Sequence, residues 1–257
     1  MNSERRDAGA ESITPDRAAD RAAARGGEAP APRRAIIEGG VLKASAAHFL
    51  AAMVLLLVVS PFMERLPRSD LIEAILLSAV LASAVLAVGA RRRTLAFAAL
   101  LALPALASTW STRLSGEAFP PEAALVSLTL FSIFVTYHML RFILLAPSVG
   151  ADVICAGIAT FLTIGLTWAL VYELLDRAAP GSFTFADPAE AKTPMRGFTA
   201  MYFSLGTMTT GGFGDIMPRS GTARMLAIVE QLIGVFYMAL LIARLVTLYA
   251  PRGRARS

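Results

Sequence analysis

One stretch decides the fold of this chain: Met208-Thr209-Thr210-Gly211-Gly212-Phe213-Gly214-Asp215-Ile216-Met217-Pro218. It follows a short apolar and aromatic segment, 198–205, which is far too short to cross a bilayer. Long apolar segments flank both, at 153–175 and 221–249. A short helix followed by glycine-rich extended chain, between two spanning helices, predicts a re-entrant loop. Non-helical backbone at membrane depth is tolerated only where it is buried in protein or lines a polar cavity.

The interval between the last two spans also predicts where the short helix begins. Its first part, 176–192, is polar and contains Pro, Gly and acidic residues, so we expect it outside the membrane. Thr193 suits the N-cap position, and Pro194 suits the first helical position. The short helix is therefore predicted to begin at these two residues.

Composition indicates an integral membrane protein. Of the 257 residues, 56% are hydrophobic and 17% are charged, and the mean hydropathy is +0.60. Average soluble domains have about 45–50% apolar and about 25% charged residues. The apolar residues form runs of the length that a bilayer core requires. The predicted fold class is an all-α membrane protein with six transmembrane helices, at 45–63, 71–89, 94–110, 122–145, 153–175 and 221–249.

Charge and cysteine content exclude several other classes. The net charge is +5, but the 24 basic residues form no patch interleaved with aromatics, so no nucleic-acid partner is predicted. Arginines cluster at 91–93 and 252–256, which predicts that both termini face the cytoplasm of a cell membrane. A single cysteine, Cys155, and two histidines support neither a disulfide nor a His/Cys metal site, so no cofactor is predicted.

The glycine-rich loop has the chemistry of a cation pathway. Backbone carbonyls that point at a shared axis replace the water shell of a permeating cation. Glycines allow the alternation of left- and right-handed backbone that aligns successive carbonyls. Thr210 adds a hydroxyl oxygen at the inner end, and Asp215 places a carboxylate at the outer end. One chain contributes one wall, so four chains are needed to close the site.

The stretch 208–218 resembles the selectivity filter of the pore-loop potassium channels, whose usual pattern is Thr-Thr-Val-Gly-Tyr-Gly-Asp, commonly with a proline a few residues on. The resemblance includes the aromatic Tyr202-Phe203-Ser204 before the filter. It also includes Gly234, nineteen residues past Asp215, at the spacing of the family's gating-hinge glycine. It covers about 153–249 and implies a homotetramer that conducts K⁺ passively, with a pore helix and filter loop between the fifth and sixth helices.

Residue roles follow from this resemblance. It implies that dehydrated K⁺ is coordinated by backbone carbonyls of four residues, Thr210, Gly211, Gly212 and Phe213, with the Thr210 hydroxyl in addition. It implies that filter support and the outer mouth come from Thr209, Gly214 and Asp215, and that Gly234 is a gating hinge. The resemblance implies no metal other than the permeating ion. The implied partners are the lipid bilayer and three further copies of the chain, and no reaction would be catalysed.

Two positions depart from the family pattern. Phe213 replaces a tyrosine and loses a hydroxyl that can brace the filter. Gly211 replaces a valine, which makes the strand more flexible and removes a side chain that packs behind it. If selectivity for K⁺ depends on a rigid cavity, glycine at position 211 lowers it. If selectivity depends on the number and field strength of the carbonyl groups, it is retained. A weakly selective cation channel is thus one alternative, and a membrane carrier or enzyme with a structural loop is another.

We expect four regions along the chain: a disordered cytoplasmic tail at 1–35, a four-helix membrane bundle at 36–150, the pore domain at 151–250 and a short cytoplasmic tail at 251–257. The pore domain combines an outer helix, the pore helix, the filter and an inner helix. Disorder is predicted for the first region because seven arginines and six acids accompany almost no large apolar residues.

Polar and aromatic residues inside the last two spans allow more than one interpretation. Glu230 either faces the ion path or is protonated or hydrogen-bonded behind the pore helix, for instance to Ser204 or Thr207. Trp168 and Tyr172 are interpreted as aromatic anchors at the membrane interface.

We predict that voltage alone does not gate this protein steeply. The fourth span contains one arginine, Arg141, near its cytoplasmic end, whereas a voltage sensor needs several because each charge gains only about 2.3 kcal/mol per 100 mV. Single-channel recording between roughly −100 and +100 mV should show a change in open probability smaller than one full charge per subunit would cause. A slope equivalent to about ten gating charges would contradict this prediction.

Overall fold

The structure is a computed structural model that describes residues 33–63, 69–88, 92–114, 121–148, 150–187 and 194–249. The chain divides into two compact units, Met1–Gly39 and Gly40–Ser257. The described residues of the first unit are the opening turns of a helix. The other helices and the candidate site belong to the second unit, and the predicted division near residue 150 stays a prediction.

The described residues form seven helices and two short strands. In chain order these are α1 (Arg33–Met63), α2 (Ser69–Val88), α3 (Arg92–Leu114), α4 (Pro121–Leu145), α5 (Ala151–Ala178), β1 (Phe183–Phe185), α6 (Gly197–Met208), β2 (Ile216–Pro218) and α7 (Gly221–Tyr249). The predicted mostly helical architecture is confirmed. The two strands are an addition that the sequence did not indicate.

Four of the described helices are long and apolar enough to cross a membrane. The spans are Arg93–Ser111 within α3, Glu122–Leu145 within α4, Ala151–Ala178, which is α5, and Gly221–Thr247 within α7. They coincide with the predicted third to sixth spans, and α3 is helical through Pro104. The apolar parts of α1 and α2 are shorter, at Ala46–Phe62 and Ala74–Val88. The chain is therefore a multi-pass membrane protein, while the count of six spans stays a prediction.

Helix α5 packs against three other helices, α4, α6 and α7. In its apolar stretch 56% of the residues are buried, against 17% in that of α7. One side of α5 contributes Val153, Ala156 and Ala159 to a core shared with α4 and the earlier helices. The other side contacts α6 and α7, and the Tyr237 hydroxyl of α7 donates to the Gly157 carbonyl at 2.7 Å. Helix α5 thus contacts both α4, which precedes it in the chain, and the helices α6 and α7 on either side of the loop.

The carboxyl-terminal part of α7 is attached to the end of α4. The Arg244 Nη2 atom lies 2.8 Å from the carbonyl oxygens of both Leu144 and Ala146. The last carbonyls of a helix have no intrahelical partner, so the guanidinium satisfies them and stabilises the end of α4. This contact between α4 and α7 is a second connection between the first four helices and the part of the chain that contains the loop.

The two strands pair the chain that precedes α6 with the chain that directly follows the loop. They pair antiparallel, with Phe183 opposite Pro218 and Phe185 opposite Ile216. The pairing continues beyond the strands, because the Ala186 N–H donates to the Asp215 carbonyl at 2.7 Å. Three-residue strands are too short for a period-two pattern to be detected, so only their contact across the fold defines them.

Two predicted boundaries differ from the structure. Residues 33–35, expected at the end of the disordered tail, are the first residues of α1, while 1–32 and 251–257 lie outside the described residues. Helix α6 begins at Gly197 with Arg196 at its N-cap, so the predicted start at Thr193, itself outside the described residues, is wrong. Gly197 has a positive φ of 50°, and a right-handed helix does not continue back through a residue in this left-handed conformation.

Candidate ion-conduction site

Helix α6 carries the loop and lies against both long helices that flank it. On α5, a Cβ atom at Gly165 would come within 2.7 Å of Leu205 Cδ2. On α7, a Cβ atom at Gly234 would lie 2.2 Å from the Met208 carbonyl oxygen. A side chain at Gly165 would require Leu205 to move, whereas one at Gly234 would meet the backbone of α6, so Gly234 sets how closely α7 approaches α6.

Gly234 therefore has a packing role that the sequence did not reveal. Helix α7 is continuous through it, from Gly221 to Tyr249. The approach of the Met208 carbonyl is by itself a sufficient reason for glycine at this position. The predicted role as a gating hinge stays a prediction.

The loop after α6 alternates in backbone handedness. Positive φ angles occur at Thr210 (57°), Gly212 (52°) and Gly214 (82°), whereas Gly211 and Phe213 between them have negative φ. This is the alternation expected from the glycine-rich sequence. Thr210 is the one non-glycine residue with positive φ in the described chain. Left-handed backbone costs an ordinary residue about 1–2 kcal/mol, so the surrounding contacts hold Thr210 in place.

Hydrogen bonds from the loop to the last turn of α6 supply those contacts. The Thr210 N–H donates to the Thr207 carbonyl at 2.9 Å, and the Gly211 N–H donates to the Gly206 carbonyl at 2.7 Å. The Thr209 N–H donates to Leu205 at 3.0 Å. The loop thereby satisfies the carbonyls that a helix leaves unpaired at its end, and its first residues are fixed relative to α6.

The far end of the loop is braced by a residue that the sequence analysis did not select. The Tyr202 hydroxyl of α6 donates to Asp215 Oδ2 at 2.7 Å, and the Tyr202 ring stacks on Phe213 with centroids 5.5 Å apart. The other carboxylate oxygen of Asp215 accepts from the Ile216 N–H at 3.0 Å. Tyr202 thus provides a bracing hydroxyl despite phenylalanine at position 213. Its aromatic character was visible in the sequence, but its partner was not.

The loop lies at the surface of the subunit. Residues 209–215 are all exposed, and Phe213 is 70% exposed, whereas Met208 and Ile216 on either side are buried. The structure therefore brings together all seven predicted loop residues, from Thr209 to Asp215, on one exposed segment. Gly234 lies apart from them, behind the last turn of α6.

Glu230 lies behind α6 and not on an exposed face. Its side chain is completely buried, its Oε2 atom accepts from the Tyr172 hydroxyl, and Ser204 Oγ lies 2.5 Å from its Oε1. The structure thus selects the second of the two alternatives that the sequence left open, with Ser204 as the partner.

Tyr172 is not an interfacial anchor, and that interpretation is wrong. The residue is completely buried, and its ring packs edge-on against Phe183 and Phe203, with centroids 5.6 and 5.0 Å away. Its hydroxyl donates to Glu230 Oε2 in the interior of the subunit. Trp168 is partly buried beside it. A position near a helix end is typical of an interfacial anchor, but the sequence does not show which residues surround the side chain.

Comparison with known families supports the class of protein that this geometry suggests. Residues 158–250 match a family model described as an ion channel. The matched segment contains most of α5, all of α6 and the loop, and α7. The resemblance to the pore-loop channel family is confirmed for this segment, and the chain carries an ion-channel domain. Because the family is one of channels, it also supports the prediction of a protein that is not an enzyme. No curated protein and no solved structure was found to match the chain.

We predict opposite results for valine at two adjacent glycines. Gly211 has negative φ, and a Cβ there would lie 3.4 Å from the Gly206 carbonyl oxygen, so Gly211→Val should retain or sharpen selectivity for K⁺. Gly212 has a φ of 52°, a conformation that valine resists, so Gly212→Val should reduce ion flux strongly. Flux from lipid vesicles containing each variant is the measurement. Loss of flux in an intact, assembled Gly211→Val protein would contradict the prediction.

Proposed function

We propose that this chain is the subunit of a homotetrameric potassium channel that conducts K⁺ passively across the cell membrane. The observation that carries the proposal is the alternating backbone of residues 210–214, on a loop between two spanning helices within the ion-channel match. An alternating strand directs successive carbonyls toward one side, as a carbonyl-lined filter requires.

The ion sites in this proposal are formed by the loop backbone. Carbonyl oxygens of Thr210, Gly211, Gly212 and Phe213, together with the Thr210 hydroxyl, replace the hydration shell of K⁺. Thr209 and Gly214 support this strand at its two ends. Asp215 keeps an exposed carboxylate near the outer mouth, where its negative charge raises the local concentration of cations.

The exposed face of α7 supports a tetramer. Helices α5 and α7 have nearly equal mean hydropathy, 2.0 and 2.1, yet 56% and 17% of their apolar stretches are buried. Large exposed side chains of α7 include Ile228, Leu232, Val235 and Phe236. In the proposed assembly, neighbouring subunits cover part of this face, and the remainder lines the path below the filter. Four loops then meet around one axis.

The proposed topology follows from the arginine-rich segments. Six helices cross the membrane, both termini are cytoplasmic, and α6 with its loop enters and leaves on the outer side. Helices α1–α4 form a peripheral bundle that is not a voltage sensor of the usual kind.

A weakly selective cation channel is the second candidate, and Gly211 is the observation that favours it. Gly211 has no side chain, so the space beside the Thr209 hydroxyl is unfilled. A Cβ atom added at Gly211 would lie 3.6 Å from that hydroxyl oxygen. A carrier in which the loop is structural would show slow, saturable flux and no unitary currents.

Recording from purified protein in a planar bilayer is the deciding experiment. Under a bi-ionic K⁺/Na⁺ gradient, we expect unitary currents whose reversal potential lies toward the K⁺ equilibrium potential. A reversal potential near zero with robust current would favour the weakly selective channel. If no condition produced unitary current, a channel of either kind would be excluded.

Assembly is tested separately by native mass spectrometry of the detergent-solubilised protein. We expect a species of four times the subunit mass of 27.2 kDa. Gly234→Leu, which forces a side chain against the Met208 carbonyl, should weaken this assembly or the flux that it supports. A functional monomer or dimer would contradict the tetramer.

A further inference from the structure

A buried carboxyl group joins the three helices that surround the loop. Glu230 belongs to α7 and is completely buried within the subunit. Its Oε2 atom contacts the Tyr172 hydroxyl of α5, and its Oε1 atom lies 2.5 Å from Ser204 Oγ of α6. The side chain of Glu230 is thus the point at which α5, α6 and α7 meet.

The hydrogen-bond contacts around this carboxyl group require three protons. Ser204 Oγ also lies 2.7 Å from the Gly165 carbonyl oxygen, which can only accept, so the single hydroxyl proton of Ser204 is directed there. The Tyr172 hydroxyl donates its proton to Glu230 Oε2. The remaining contact, between Oε1 and Ser204, then has its proton on the carboxyl group. A neutral carboxylic acid satisfies all three contacts, whereas a carboxylate leaves one without a proton.

No described cation lies against Glu230 to neutralise a negative charge, and the Tyr172 hydroxyl is the donor that faces its Oε2 atom. Among the described residues, the ion pairs are those of Arg177 with Glu122 and Glu173, and none includes Glu230. Its phenolic partner Tyr172 packs in an aromatic cluster with Phe183 and Phe203. An isolated buried carboxylate is costly, so this environment agrees with the neutral acid.

The contact of Glu230 is one of two successive contacts between α7 and α6. Glu230 meets Ser204, and one turn later Gly234 meets Met208, which lies one turn after Ser204. Both helices therefore advance in the same direction along this face. The second contact ends directly before Thr209 and Thr210, so the position of α6 determines where the loop begins.

We propose that Glu230 is a positioning residue for conduction: as a neutral acid it donates to Ser204 and holds α6 so that Thr210 keeps its left-handed backbone. The proposal rests on the proposed function because it assigns Glu230 a role in the conducting geometry. Glu230 does not touch the ion, and its effect is transmitted through Ser204 and the last turn of α6.

Infrared spectroscopy of the full-length protein in lipid vesicles tests the proton directly. The difference spectrum between the wild type and Glu230→Gln at neutral pH should contain the C=O stretch of one neutral carboxyl group, which is separate from the carboxylate bands. A difference spectrum with carboxylate bands alone would overturn the proposal, whether or not the protein conducts.

Potassium flux from vesicles tests the positioning role with a matched pair of serines. Ser204→Ala removes the hydroxyl between Gly165 and Glu230 and should lower flux about tenfold, the scale of one or two lost hydrogen bonds. Ser132→Ala removes an equally buried hydroxyl, 2% exposed and 3.0 Å from Thr167, away from α6, and should stay within about twofold of the wild type.

Rescue by a conservative variant separates positioning from simple filling of space. Glu230→Leu retains volume but no donor and should lose flux as Ser204→Ala does, whereas Glu230→Gln presents an amide N–H to Ser204 and should recover most of it. Equal flux in both serine variants, or a glutamine variant no better than leucine, would overturn the proposal. Absence of flux in the wild type would instead contradict the proposed function, and the infrared result would still decide whether Glu230 is neutral.

Discussion

Backbone that is neither helix nor sheet has polar groups that an apolar membrane cannot satisfy, and the structure around residues 209–215 depends on this constraint. At one end, the N–H groups of Thr210 and Gly211 bond to the last carbonyls of α6. At the other end, the Asp215 carbonyl accepts from Ala186 beside the strand pair, and the Asp215 carboxylate accepts from Tyr202. The remaining backbone oxygens of the loop are left to an ion path in the proposed channel.

Close helix packing makes this bracing effective. A loop can keep a left-handed threonine only if the helix before it is held firmly, because the cost of about 1–2 kcal/mol would otherwise be relieved by rearrangement. Gly165 and Gly234 let α5 and α7 approach α6 from two sides. The hydroxyl–carboxyl cluster of Tyr172, Ser204 and Glu230 adds directional contacts where apolar packing alone would allow the helices to slide.

The two long helices of the ion-channel domain differ in what covers them. Helix α5 is covered on both sides within the subunit, whereas α7 leaves most of its apolar surface open. Arg244 attaches the carboxyl-terminal part of α7 to the end of α4 through two carbonyl oxygens. The open apolar face of α7 agrees with the assembly of four copies that we propose.

The membrane class, the four longest apolar helices and the loop residues 209–215 could all be predicted from local chemistry, because apolar length indicates a span and glycines permit an alternating backbone. The positive φ of Thr210 could not, because it depends on contacts with the last turn of α6. Contacts between distant parts of the folded chain determine the partner of Glu230, the burial of Tyr172, the hydrogen bond from Tyr202 to Asp215, the close contact at Gly234 and the β1–β2 pair. Those features join residues between 11 and 58 positions apart in the chain, and no local pattern encodes which distant side chain will lie opposite. The start of α6 at Gly197 also differs from the prediction, because the capping preference of Thr193 does not reveal that Gly197 adopts a positive φ.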